Sequence, residues 1–327
     1  MKVKIGIAGA GAIAQVAHIP AVLSCEEAEI YALCDVDEAR LYKLQEKYKV
    51  KIYTDFEDMV KDEELDAVII ATPNYLHYPM CIAALEYGKY VLCEKPLGIN
   101  TEEVERLVEF SKKHGDKLVP CFNNRLRPDV ITLRKYVKGG EIGRVYYAKT
   151  GWLRKIGPET PSWRQRKSEA GGGVLLNLGI HLLDHTLWIL EKKPVSVCAS
   201  LHLSGEVEDA GVCMIRFEDD SFMTLEAGWT LLFEKDFTYF NLYGERGSAL
   251  LSPLKIEQVY KDEVREITPR KPERNPFKVS YEEQIKRFVE FVQGKKKPPF
   301  TPENALALSR IIDAAYLSSR EKREVEL

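Results

Sequence analysis

The chain has 327 residues, 45% hydrophobic and 30% charged, with a formal net charge of −3. That length exceeds one ordinary hydrophobic core and implies two domains. The composition excludes a long disordered region, and the charge balance provides no basic surface for nucleic acid or an anionic membrane. No apolar run approaches the roughly 18 residues of a membrane span. The seven cysteines, at 25, 34, 81, 93, 121, 198 and 213, form no C-x-x-C pair or framework spacing, which argues for a reducing, cytoplasmic setting.

The first stretch, VKIGIAGAGAIA (3–14), reads as an apolar strand, a glycine-rich turn and a helix start. Gly9, Gly11 and Ala14 fit G-x-G-x-x-G/A, the dinucleotide-binding fingerprint. Gly9 permits the tight turn, Gly11 lets a pyrophosphate approach the backbone, and Ala14 lets helix and strand pack closely. Ala12 and Ile13 open the helix, whose free N–H groups would hold the phosphates. Lys2 and Lys4 before this segment superficially resemble a signal peptide. Its glycines would interrupt the apolar helix, however, and cleavage would destroy the fingerprint.

The second strand, EIYALC, ends in Asp35, at the right distance to accept hydrogen bonds from an adenosine ribose. A 2′-phosphate would be repelled there, so NAD is expected, with Arg40 close behind softening the preference toward NADP. Asp37 is the better candidate to cap the next helix. Strand-like and helix-like segments then alternate to about residue 122: IYTD, a helix near Phe56 to Lys61, AVIIAT, HYPMCIAALEYG, YVLCEKP, the amphipathic helix TEEVERLVEFSKKHG with Thr101 as its cap, and KLVPCFN. Such alternation means a parallel sheet covered on both faces, with ligands beyond the strands' carboxyl ends. That rule selects Thr72, Pro73, Asn74 and His77 after one strand, Glu94 and Lys95 after another, and Arg125 after the last.

Beyond Arg125 the pattern changes. A helix and the strand GRVYYAKTGWL precede a polar loop, RKIGPETPSWRQRKSEAGGG. In it Trp163 and Arg164 offer stacking and anion-binding surface. Gly171 to Gly173 open the helix LLNLGIHLLDHTLWILE, on which Asn177, His181 and either Asp184 or His185 share a face at helical spacing. His181 and His185 stand at zinc-ligand spacing but lack the H-E-x-x-H glutamate and a third ligand, so no metal is expected. Runs of strand separated by turns follow and predict a sheet of consecutive antiparallel hairpins. One face would carry exposed apolar side chains such as Phe222, Trp229, Tyr239 and Phe240, an association surface for a homodimer or homotetramer. Two amphipathic helices close the chain.

Taken in order, GAGAIA, ATPNYLH, EKPLG and AGGGVLLNLGIHLLDH resemble the glucose–fructose oxidoreductase, inositol dehydrogenase and rhizopine-catabolism (Gfo/Idh/MocA) family over nearly the whole chain. The resemblance implies an α/β protein: an N-terminal doubly wound Rossmann domain (1–122) and a C-terminal α+β domain (123–327) with an open, mostly antiparallel sheet for substrate binding and oligomerisation. It also implies NAD(P)-dependent oxidation or reduction of a sugar, cyclitol or related polyol. Carried over from the family's positions, Lys95 hydrogen-bonds the substrate oxygen and His181 is the general base. Family members usually carry Asp one turn before that histidine, where this chain has Asn177, which binds a hydroxyl but accepts no proton. Two alternatives stand beside this reading: a lyase, epimerase or glycosidase that uses NAD transiently, and a non-catalytic NAD-binding regulator.

Overall fold

Six short strands make the first sheet of the computed structural model, which describes residues 2–154, 162–230, 235–269 and 275–327. They are β1 (Val3–Ala8), β2 (Ala28–Cys34), β3 (Lys51–Tyr53), β4 (Ala67–Ile70), β5 (Tyr90–Cys93) and β6 (Leu118–Pro120), in the order β3-β2-β1-β4-β5-β6. Every neighbouring pair is parallel. The sequences dictate this. β4 reads AVII and is buried at all four positions, as a strand covered on both faces must be. The strand order reverses between β1 and β4, the topological switch point beyond which such sheets bind ligands. Asp37 and Asp55 cap their helices by accepting from the N–H groups of Arg40 and Asp58. Thr101 was expected to cap the amphipathic helix, but Asn100 does so: its side chain accepts from Glu103 N–H, and Thr101 is the first helical residue. Asn is as good a cap as Thr, and the extended backbone at Asn100 gives it the cap geometry.

The chain forms two compact units. Unit 1 takes in the chain up to Leu126 together with Phe277–Ala307, and unit 2 comprises Arg127–Pro276 with Leu308–Leu327. The helix Pro276–Val292 therefore belongs almost wholly with the first sheet. Its buried side chains Tyr281, Ile285, Phe288 and Val289 supply the largely apolar stripe that ties it there.

Unit 2 holds a nine-stranded sheet of β7 (Val145–Leu153), β8 (Pro194–Ser204), β9 (Val207–Phe217), β10 (Phe222–Gly228), β11 (Phe237–Gly244), β12 (Gly247–Leu251), β13 (Leu254–Tyr260), β14 (Glu263–Glu266) and β15 (Val325–Glu326). The order is β14-β13-β12-β11-β7-β10-β9-β8-β15. The sheet is mostly rather than wholly antiparallel, because β7 inserts between β10 and β11 and pairs parallel with β10. The helical run leading into Ile180–Leu190 packs on one face. That face buries Ala148, Thr150, Ile215, Met223, Leu225, Phe240 and Leu242. The opposite face carries a stacked row of Tyr147, Phe222 and Tyr243, with ring centroids 4.7 and 5.4 Å apart. Phe237, Tyr239 and Val212 extend it by strand register. Two expected members of this open face are not on it. Phe240 alternates with Tyr239 along β11 and so points to the core, and Trp229 is buried as well.

The stretch Lys167–Leu190 needs one amendment to the sequence reading: it is long and apolar enough, by composition, to cross a bilayer. In the folded chain 72% of its apolar window is buried inside the protein, as expected of a core helix.

Candidate active site

The glycine-rich turn after β1 is built by close backbone contact. Gly9 has φ +85°, and a Cβ there would stand 2.5 Å from the Ala71 carbonyl oxygen. Only glycine tolerates both the left-handed conformation and that approach. At Gly11 a Cβ would meet nothing within 4 Å, so the backbone is open where a pyrophosphate would lie. The helix beyond starts with a π-turn, Ala14–His18, and Ala14 is fully buried. At the end of β2, Asp35 is 8% exposed. Its Oδ2 accepts from Ala10 N–H at 2.7 Å and from Arg40 at 3.0 Å, and its Oδ1 accepts from Asp37 N–H at 2.9 Å. The acid thus holds the glycine turn and the second helix in one register. Arg40 also pairs with Asp37 at 3.0 Å.

The ends of β4 and β5 are joined through His77. This ring is 1% exposed, with Nδ1 2.6 Å from Pro96 O and Nε2 2.9 Å from Thr72 O. Burial pushes its pKa below the ordinary histidine value. Both ring nitrogens face backbone carbonyl oxygens, one of which accepts the single N–H of the neutral ring, and His77 braces the loop of Thr72, Pro73 and Asn74 against that of Lys95 and Pro96.

Glu94 is likewise internal, its side chain 12% exposed. It accepts from His18 Nε2 at 2.9 Å and from Tyr281 Oη at 3.5 Å. Burial pushes its carboxyl pKa up, but the His18 hydrogen bond and the charges of His18, Lys95 and His77 outweigh that and hold it below the usual range. The adjacent Lys95 is half-buried at the strand end. Arg125 is buried, its guanidinium 4.6 Å from the Phe122 ring and 5.3 Å from the Phe300 ring. Both rings belong to unit 1.

In unit 2 the three glycines before the helix are each required. Gly171 has φ +81°. A Cβ on Gly172 would stand 1.9 Å from Tyr316 Oη, and one on Gly173 would stand 1.9 Å from the Glu208 carbonyl oxygen. The next residues form a second π-turn, Leu175–Gly179, leading into Ile180–Leu190. From Gly172 to Thr186 every residue is buried except Asn177 and His181. The shared polar face expected of this helix is therefore divided. Asn177 and His181 reach a surface, with His181 beside the Trp152 ring at 5.9 Å. Asp184 and His185 face inward, His185 edge-on to Phe240. The wider i→i+5 turn at Leu175–Gly179 alters the rotation between Asn177 and His181 only, since His181, Asp184 and His185 all lie in the regular α-helix that follows. Trp163 and Arg164 stack, the guanidinium 4.5 Å from the ring, while residues 155–161 of their loop lie outside the described residues.

Residues 3–122 match the model of an oxidoreductase family with an NAD-binding Rossmann fold, and residues 130–250 match the Gfo/Idh/MocA C-terminal domain. The chain belongs to the Gfo/Idh/MocA oxidoreductase family. Among its relatives are D-glucoside 3-dehydrogenase of Escherichia coli, 27% identical over 99% of this chain and 97% of that protein, and myo-inositol 2-dehydrogenase of Thermotoga maritima, 27% identical over 99% and 98%. A levoglucosan dehydrogenase solved with NADH has the same fold, with TM-score 0.89, 22% identity, and coverage of 100% of this chain and 99% of that one. The family fits the geometry of unit 1. The space at Gly11 and the carboxylate of Asp35 are what an NAD pyrophosphate and ribose require.

Sequence reasoning missed three buried polar side chains that tie elements of this Gfo/Idh/MocA chain together: His18, Tyr281 and Glu208. His18 gave one signal, a histidine inside the apolar run AIAQVAHIPAVL. Glu208 gave another, an acid inside a strand pattern. Tyr281 gave none, because its partner lies 187 positions away.

Proposed function

We propose that this NAD-binding Gfo/Idh/MocA oxidoreductase oxidises a secondary alcohol of a sugar, cyclitol or sugar derivative, or reduces the corresponding ketone. The observation that carries this is the pair Asn177 and His181, the two side chains between Gly172 and Thr186 that are not buried. Two accessible hydrogen-bonding side chains one helical turn apart suit a ligand with several hydroxyl groups, and a polyol is one. Bound NAD supplies the hydride acceptor. Gly9, Gly11, Ala12, Ile13 and Asp35 hold the cofactor. Lys95 donates a hydrogen bond to the substrate oxygen and stabilises the negative charge that develops there. His181, in its neutral form, takes the hydroxyl proton. Asn177 binds a neighbouring hydroxyl and leaves proton transfer to His181.

Asp35 favours NAD, and Arg40 stands where a 2′-phosphate would need a cation, so NADP is the weaker alternative. The stacked row on the open sheet face supports a homodimer or homotetramer. Seven free cysteines support a cytoplasmic setting.

The test is a panel of cyclitols, aldoses, sugar acids and glycosides with NAD and NADP, followed by absorbance, with Lys95→Ala beside the wild type. Lys95→Ala is expected to retain NAD binding and lose about 10²- to 10³-fold in turnover; normal turnover refutes the assignment. NAD that stays bound through purification and releases no NADH would move the reading to a lyase, epimerase or glycosidase.

A further inference from the structure

We infer that Glu208, on β9, is a positioning residue that fixes the rotation and axial register of the helix carrying Asn177 and His181. The inference rests on the reading of His181 as the base. Glu208 is 1% exposed. Its Oε2 accepts from Gly173 N–H at 2.9 Å, and its Oε1 accepts from Leu175 N–H at 3.0 Å and from Tyr316 Oη at 3.0 Å. Helix N-termini present free N–H groups that a cap residue of the same segment usually satisfies. The residue before this helical segment, Val174, makes no side-chain cap. The grip comes instead from a neighbouring strand, and it engages both carboxylate oxygens with different amides.

That arrangement carries directional information. A single hydrogen bond leaves the helix free to rotate about it, whereas two separate oxygens on two amides fix both rotation and advance. Asn177 N–H donates in turn to Gly173 O at 3.0 Å, so the residue that Glu208 holds is bonded directly to the one that carries the polyol-facing amide. His181 follows one turn on. Gly172 and Gly173 have no side chain where Tyr316 Oη and the Glu208 backbone stand. The glycine run and the acid are thus one device: small residues admit the anchor, and the anchor sets the helix. Glutamine cannot replace it, because its amide NH₂ would be directed at a backbone N–H.

Glu208→Gln, Tyr316→Phe and His181→Asn are to be compared with the wild type as full chains. Turnover is read with whichever of myo-inositol, methyl glucoside or levoglucosan the wild type oxidises, together with NADH affinity by fluorescence and the isotope effect with C-deuterated substrate. Glu208→Gln is expected to bind NADH as the wild type does, lose about 10- to 100-fold in turnover and show a larger isotope effect. Fewer folded molecules would lower turnover without changing the isotope effect. Tyr316→Phe leaves both amide bonds in place and is expected to lose less than about fivefold. Independently of substrate, the His181 imidazole resonance, identified by its loss in His181→Asn, moves in Glu208→Gln while those of His18, His77 and His114 stay. A Glu208→Gln protein within twofold of wild-type turnover, or with an unmoved His181 resonance, overturns the inference. Wild-type turnover in His181→Asn overturns the base reading instead, and the resonance then decides the positioning role alone.

Discussion

Alanine substitutions at Gly171, Gly172 and Gly173 should separate three physical reasons for glycine in adjacent positions. At Gly171 the cost is conformational: a φ of +81° in a residue with a Cβ costs about 1–2 kcal/mol. At Gly172 the new methyl would meet Tyr316 Oη at 1.9 Å, the far end of a side chain. The cost is then one of overpacking, about 1–3 kcal/mol, and Tyr316→Leu in the same chain should recover part of it through a coupling of about 1 kcal/mol. At Gly173 the methyl would meet backbone, with Glu208 O at 1.9 Å and its carbonyl carbon at 2.8 Å, and no rotamer relieves that. Overpacking of about 1–3 kcal/mol adds to loss of the two Glu208 bonds to the Gly173 and Leu175 amides, each about 0.5–1.5 kcal/mol. A total of about 2–6 kcal/mol follows, beyond rescue by Tyr316→Leu. The assay is urea unfolding followed by tryptophan emission, since Trp152, Trp163, Trp188 and Trp229 all lie in unit 2. A midpoint shift at constant slope is a stability change. Gly173→Ala costing less than Gly171→Ala, or rescued by Tyr316→Leu, would refute the steric reasoning.

Arg40→Ala should leave NAD kinetics within about twofold and weaken NADP by about tenfold, the worth of a charge-assisted phosphate bond; equal loss for both cofactors would remove Arg40 from the 2′ position. Asp219 pairs with Lys192 at 2.7 Å. Burial works against its ionised form, but the hydrogen bonds from Lys192 and Ser221 prevail and lower its pKa to about 2. A depressed carboxylate stabilises the fold above its unfolded pKa near 4, and that stability is lost as pH falls toward 2. After allowance for partial solvent exposure the effect is about 1–2 kcal/mol, absent from Asp219→Asn in acid titrations of the unfolding midpoint. Val212→Lys on the open face should yield monomer by light scattering at unchanged thermal stability; an unchanged assembly would move the interface elsewhere.

The first sheet was legible because each strand is an apolar run ended by a polar or glycine signal, and because periodicity is a local property. The positions of Asp35 and Lys95 at strand ends and of His181 on a helix were legible for the same reason, since the sequence displays where each element ends. What escaped was long-range or a matter of one residue. Thr101 and Asn100 are both good caps, and only the backbone conformation separates them. Tyr239 and Phe240 look alike in composition but fall on opposite faces of β11. The π-turns at Ala14–His18 and Leu175–Gly179 leave no mark in an apolar pattern. The parallel pairing of β7 with β10 joins segments some 75 residues apart in sequence, which no hairpin rule anticipates.

The path of the chain through its two units bears on how the protein is made. Leu126 and Phe277 are neighbours within unit 1 in membership, but 150 residues of unit 2 are translated between them. At ordinary ribosomal speeds that is a delay of roughly 8–30 s. Throughout it the nascent nucleotide-binding sheet lacks Tyr281, and the buried His18–Glu94 pair lacks its lid. A chain ending at residue 126 would leave the same surface uncovered permanently.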